Sequence, residues 1–176
     1  MSLIAKDIVL GSAVAEFASK LYEETYDRRM RIPLKELESV YKQHKADYVA
    51  LYDDDLFVGF YYVYKYENTA LIYYLAVADS MRGRGYGTEI LDLIKERYYP
   101  KYRIALSIEA PRVDDKLVSS RYRNLAFYSR NCFIDTLFKY ESVGIQYEVL
   151  YWGEQWDPEE IHKILRSFRR CCGYKR

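Results

Sequence analysis

LIYYLAVADSMRGRGYGTEIL, residues 71–91, runs from an apolar segment through a glycine-rich turn into an amphipathic one. Leu71 to Ala78 reads as a buried strand. Thr88 to Tyr99 reads as a helix with Ile90, Leu91 and Ile94 on its inner face and Pro100 as its stop. Between them lies Arg82-Gly83-Arg84-Gly85-Tyr86-Gly87. A strand that turns on glycines into a helix presents unpaired backbone N–H groups at the positive end of the helix dipole. Glycine lets that backbone take positive φ and approach an anion closely. Arg82 and Arg84 add guanidinium forks suited to phosphate oxygens. The turn therefore predicts a site for a phosphorylated ligand.

Upstream, Ser12 to Asp27 places Val14, Phe17, Ala18, Leu21 and Tyr22 at helical spacing, with Ser12 as cap. Pro33 suits the first position of a second helix reaching His44. Tyr48 to Tyr52 and Leu56 to Tyr66 read as strands joined by a turn at Asp53-Asp54-Asp55. Downstream, Arg103 to Glu109 is a strand, and Asn124 to Asn131 a short helix. Phe133 to Tyr140 and Gln146 to Trp152 form an antiparallel pair across Gly144. Asp157, Pro158 and Glu159-Glu160 open a tail helix that Arg169-Arg170 and Gly173 close. The predicted order is βααβββαβαββ plus this C-terminal helix: a mixed α/β (α+β) sheet with helices on both faces. Residues 1–156 are expected to form one domain, with 157–176 an amphipathic helix packed on or appended to it.

Composition narrows the partners. A chain of 176 residues can bury about 70% of its unfolded surface. A net charge of +1 argues against an extended nucleic-acid footprint. No apolar run approaches the ~20 residues of a membrane span, and the N-terminus lacks a signal-peptide pattern. Cys132, Cys171 and Cys172 lack metal-ligand spacing, so no metal is expected and reduced thiols in a cytoplasm are. The tyrosines, 21 of them, suit a sheet whose rings are partly buried.

Among phosphate-binding loops, a Walker-type turn needs a Gly-Lys pair that is missing here, and a dinucleotide fingerprint needs a third glycine where Thr88 stands. Residues 71–91 instead resemble the acyl-CoA-binding motif of the GNAT superfamily of N-acetyltransferases. Its signature, Arg/Gln-x-x-Gly-x-Gly/Ala, is met by Arg82, Gly85 and Gly87. Leu75-Ala76-Val77 matches the family's strand before the loop. The later segments LSIEA (106–110) and NLAFYSRNCF (124–133) resemble the family's next strand and its asparagine, helix and FY-x-x-x-GF pattern, with Cys132 where glycine is usual. The likeness spans roughly residues 70–135.

The resemblance implies a mostly antiparallel sheet in which two parallel strands, Leu71–Ala78 and Arg103–Glu109, splay apart. It implies an enzyme that moves the acetyl group of acetyl-CoA to a primary amine by direct attack through a tetrahedral intermediate. The backbone of Gly83, Arg84, Gly85, Tyr86, Gly87 and Thr88 would hold the CoA diphosphate, beside Arg82. The edge of Leu75, Ala76 and Val77 would hold the pantetheine arm, with the Val77 N–H on the thioester carbonyl and Asn124 steadying the arm. Tyr128 matches the family's general acid; its other reading is one packed tyrosine among many.

Many relatives carry a carboxylate on the strand before the loop, where this chain has Ile72, Tyr73 and Tyr74. Glu109 is the nearest substitute base, or else a polar strand end. The acceptor, a small-molecule or peptide amine, is expected between the first two helices and the last hairpin, near Tyr22, Tyr26, Trp152 and Trp156. A homodimer is compatible with the sequence. The alternative function is a non-catalytic acyl-CoA-binding or protein-interaction domain of the same fold.

Overall fold

Leu56–Tyr66 carries apolar side chains at both alternating positions, so as a strand it needs cover on both faces. In the computed structural model, which describes residues 3–173, it is β3 of a seven-stranded sheet. The chain order is β1 (Ile4–Asp7), α1 (Ala13–Thr25), α2 (Leu34–Lys42), β2 (Ala46–Asp53), β3, β4 (Thr69–Val77), α3 (Tyr86–Tyr98), β5 (Arg103–Glu109), α4 (Ser120–Arg130), β6 (Ile134–Ser142), β7 (Ile145–Trp152) and α5 (Glu160–Cys172). The sheet runs β1-β2-β3-β4-β5-β7-β6, antiparallel except for β4 beside β5. The element order is the one expected.

Several boundaries shift by a few residues from expectation, two helix starts for evident local reasons. α4 starts at Ser120, because Ser119 caps it by accepting from the Tyr122 N–H at 3.4 Å; the polar run before Asn124 carries no apolar period to announce a helix. α5 starts later than its proline suggests: Asp157 caps a tight turn, accepting from Glu159 N–H at 3.0 Å, before the helix proper.

Each face of the sheet has its own core. One face packs Phe60, Tyr62, Tyr64 and Tyr74 against Ala18, Leu21 and Tyr22 of α1, Leu37 and Val40 of α2, and Ile161, Ile164 and Phe168 of α5. The other packs Val49, Tyr61, Val63 and Ile72 against Ile90, Leu91 and Ile94 of α3, with Leu125, Phe127 and Tyr128 of α4 at its margin. Buried phenols find partners, as the Tyr62 hydroxyl does by donating to the Leu37 carbonyl at 2.8 Å.

The sheet opens between β4 and β5. They pair only from Thr69 opposite Arg103 to Ile72 opposite Leu106. Beyond that, β4 pairs only with β3, and β5 only with β7. A bulge supplies the cause: Tyr62 faces Tyr74 and Val63 faces Ile72, which leaves Tyr73 unpaired. A bulge adds a residue and bends its strand. Consecutive Tyr73 and Tyr74 consequently pack toward the same core, and the rest of β4 peels away from β5. Gly59 lets β3 follow the bend, since a Cβ there would collide with the Ala76 carbonyl oxygen.

Candidate active site

The glycine turn leaves β4 through a single 3₁₀ turn, Asp79–Met81, and enters α3 at Gly85. Gly83 and Gly85 take φ of 75° and 89°, the left-handed region that glycine enters without steric cost. The Thr88 and Glu89 N–H groups close onto the Gly85 carbonyl at 3.0 and 3.2 Å. Among the described residues, no backbone acceptor meets the N–H groups of residues 83–87. They form a row of free donors at the helix's positive end, suited to a diphosphate. Gly87 serves packing as well, since a Cβ there would lie 3.0 Å from the Phe127 ring and push α4 away.

The arginines divide. Arg84 is exposed at the tip of the turn, whereas Arg82 holds the turn in place. Its Nε donates to the Val77 carbonyl at 3.1 Å and its guanidinium pairs with Asp79 at 2.7 Å. The Tyr86 hydroxyl donates to Asp53, which ties α3 to the β2–β3 turn. Asp53 is thereby engaged as a strut.

Along β4, main-chain groups alternate between β3 and the gap. The Ala78 N–H donates to Val58 on the β3 side at 2.9 Å, and Ala76, opposite Phe60, shares that direction. Leu75 and Val77 therefore point their N–H groups into the gap. The Leu75 N–H donates to the Tyr26 hydroxyl at 2.9 Å, and that hydroxyl donates to the Leu75 carbonyl at 2.8 Å. Tyr26 reaches the gap from the C-terminal cap of α1, and Tyr128 of α4 packs on the opposite face of the sheet, its ring edge-on to Phe133. Burial raises the Tyr26 phenol far above the ordinary tyrosine range and the nearby Tyr128 phenol adds to the rise, with the Leu75 hydrogen bond opposing it. Burial alone pushes Tyr128 up to about 12. At neutral pH Tyr128 is a proton-bearing phenol.

Asn124 lies one helical turn before Tyr128 on α4, with an exposed side chain. Glu109 ends β5, where its Oε1 is held by Arg121 at 2.6 Å; Arg121 also grips Asp115 at 2.8 Å. At its C-terminus α4 closes with the Phe133 N–H on the Tyr128 carbonyl and the Cys132 N–H on the Ser129 carbonyl, both at 3.0 Å. Cys132 takes φ of 64° there, which explains why this position favours glycine.

A cavity of about 340 Å³ adjoins the splay on the α1, α2 and α5 side, lined by Tyr26, Tyr73, Tyr74, Tyr140 and Tyr147 among others. Of the aromatic residues expected around the acceptor, Tyr26 does line it. Tyr22 is buried beneath, donating to the Ile32 carbonyl at 3.0 Å. Trp152 stacks edge-on with Tyr99, and Trp156 is buried with its indole N–H on Glu160. Neither tryptophan lines the cavity. The contact between Tyr26 and Leu75 and the bulge at Tyr73 left no periodic signal in the sequence. The paired tyrosines 73 and 74 are their only trace.

The family model described as the Acetyltransferase (GNAT) family matches residues 12–116, more than half of the chain. The chain belongs to that family. Solved structures share its fold at low identity. A Bacteroides thetaiotaomicron protein assigned to the GNAT acetyltransferases is 18% identical with a TM-score of 0.76, covering 94% of this chain and 96% of its own. A GNAT acetyltransferase of Elizabethkingia anophelis with acetyl-CoA bound is 15% identical, TM-score 0.61, covering 87% and 99%. An aminoglycoside 6'-N-acetyltransferase complexed with coenzyme A is 16% identical, TM-score 0.63, covering 88% and 99%. A search of curated proteins returned no match. Among the described residues, no helix is long and apolar enough to cross a membrane, and no group of three His, Cys, Asp or Glu side chains could hold a metal ion.

Proposed function

We propose that this GNAT chain is an N-acetyltransferase that moves the acetyl group of acetyl-CoA to a primary amine by direct attack. One observation carries the reading: where β4 parts from β5, its open edge at Leu75 is held by the Tyr26 hydroxyl, next to a row of free amides. The N–H groups of residues 83–87 would bind the diphosphate, with Arg84 beside them and Arg82 bracing the turn. The outward edge of β4 would take the pantetheine arm as an added strand does, with Asn124 facing it from α4. Acetyl-CoA-bound and CoA-bound relatives of the same fold support this choice of donor.

The Tyr26 hydroxyl both accepts from and donates to Leu75, as an amide of a bound arm would. Its oxygen therefore marks a place where a thioester oxygen could receive a hydrogen bond. With Tyr128 nearby, this favours the Leu75 N–H as the donor to the carbonyl, and the Val77 N–H as the contact further along the arm. Such a preorganised donor contributes about 3–4 kcal/mol in the transition state. Tyr128 would give its proton to the departing thiolate.

An alkyl amine is free base only about once in 2,500 molecules at pH 7. We assign Glu109, through a water, the task of accepting its proton, with Arg121 fixing the carboxylate in place. Residues 1–156 and the tail helix would act as one cytoplasmic unit.

Thiol release from acetyl-CoA, measured against a panel of primary amines, tests the proposal. Amine-dependent thiol release supports it. Saturable acetyl-CoA binding with no turnover on any amine would favour the non-catalytic reading instead.

A further inference from the structure

The cavity beside the splay carries more positive than negative charge. Arg29, Arg31 and Arg169 line it, against Glu141. Arg29 is paired with Asp27 at 3.1 Å. The nearby carboxylate of Glu109 is taken by Arg121. Among the described residues, Arg31 donates to the Glu23 carbonyl at 3.5 Å, with Asp27 in its wider surroundings, and Arg169 donates to the Ser142 hydroxyl at 3.4 Å. Among the described residues, no carboxylate lies within ion-pair distance of either, and Glu141 sits exposed at the rim.

Arg169 is the informative one. It projects from the last turn of α5 and is half-buried. The phenols Tyr73, Tyr140 and Tyr147 and the Ser107 hydroxyl line the same cavity. A guanidinium partly withdrawn from water without an anionic partner is costly, and its planar fork, in a cavity that also presents hydroxyl groups, matches the geometry of a carboxylate or phosphate. Tyr26, whose hydroxyl sits on Leu75, lines the same cavity. A small molecule could therefore reach both ends at once, and a cavity of about 340 Å³ suits one.

We propose that the acceptor is a small amine bearing an oxyanion, carboxylate or phosphate, and that Arg169 with Arg31 binds this group while the amine points to Leu75. The inference rests on the acetyl-transfer reading for the amine's orientation, but the oxyanion site itself can be tested without it.

Calorimetric titration of the full chain, with no CoA present, compares 2-aminoethyl phosphate, β-alanine and the neutral ethanolamine. At least one anionic amine is expected to bind about tenfold tighter than ethanolamine. The tighter of the two anions identifies the oxyanion. Arg169→Gln should abolish the preference, Arg169→Lys should keep part of it, and Arg31→Gln should reduce it without touching α5. Equal binding of all three amines, binding of none in the millimolar range, or a preference that survives Arg169→Gln would each overturn the proposal. Selective binding without acetyl transfer would sink the catalytic reading and leave the oxyanion site standing.

Discussion

The Tyr26 hydroxyl bridges the main chain of Leu75, accepting from its N–H at 2.9 Å and donating to its carbonyl at 2.8 Å. A strand edge that would otherwise hold unpaired groups is thus satisfied by a side chain from α1. An extended ligand on β4 would compete for the same two groups.

Tyr26→Phe therefore has opposite effects on folding and on binding. Loss of the two bonds should lower stability by about 1–2 kcal/mol. The freed edge should bind CoA several-fold more tightly, because about 1 kcal/mol corresponds to roughly a fivefold change in Kd. Chemical denaturation and calorimetry check the two parts. Weaker CoA binding in the variant would show that Tyr26 is not displaced.

Tyr128→Phe should lower kcat by about 100-fold or more while leaving the Kd for CoA nearly unchanged. The pH profile follows from the sign of the shift. Burial raises the phenol to about 12, so its proton-bearing form persists throughout the alkaline range below that value. Wild-type activity should then rise from pH 7 as the amine loses its proton, and show no fall before pH 10. A descending limb near pH 9 would assign proton donation to another group.

Two glycine substitutions separate folding from binding. Gly59→Ala puts a Cβ into the Ala76 carbonyl and must displace β4, which should cost about 3 kcal/mol or more. Gly85→Ala meets no neighbouring atom, but forces an L-residue to φ of 89° at the start of α3. Its stability cost should stay near 1–2 kcal/mol, and its main effect should be a loss of acetyl-CoA affinity of about tenfold or more. Thermal melts with binding titrations of both variants test the contrast.

Cys132→Gly should stabilise the protein. Cys132 holds φ of 64° at the end of α4 and its side chain is exposed. Relief of the left-handed strain outweighs glycine's extra chain entropy by about 0.5–1 kcal/mol, which is a rise in Tm of roughly 1–4 °C. An unchanged or lower Tm would mean that the thiol contributes contacts of its own.

The order of elements was legible because each strand and helix announces itself locally. Leu56–Tyr66 and Arg103–Glu109 are bounded by turn residues, and the glycine turn carries its chemistry in its composition. The site was only half legible. Free amides at residues 83–87 follow from glycines before a helix, and the left-handed turn at Cys132 was hinted at only by the family's usual glycine there. The bulge at Tyr73 could not be read, because a one-residue register shift depends on β3 and leaves the apolar pattern of β4 intact. Nor could the sequence place Tyr26, 49 residues from Leu75, or gather Arg31 and Arg169 in one cavity. Trp152 and Trp156 fit an acceptor lining by ring size alone, yet packing claims both.

On the proposed reading, the amides of the glycine turn and the edge of β4 bind acetyl-CoA together. Titration of ¹⁵N-labelled protein with acetyl-CoA, following backbone amide signals, checks this. Saturable shifts are predicted at Gly83, Gly85, Gly87, Leu75 and Val77, with a common Kd. Saturation that leaves these five amides unmoved, or no association at all, would contradict it.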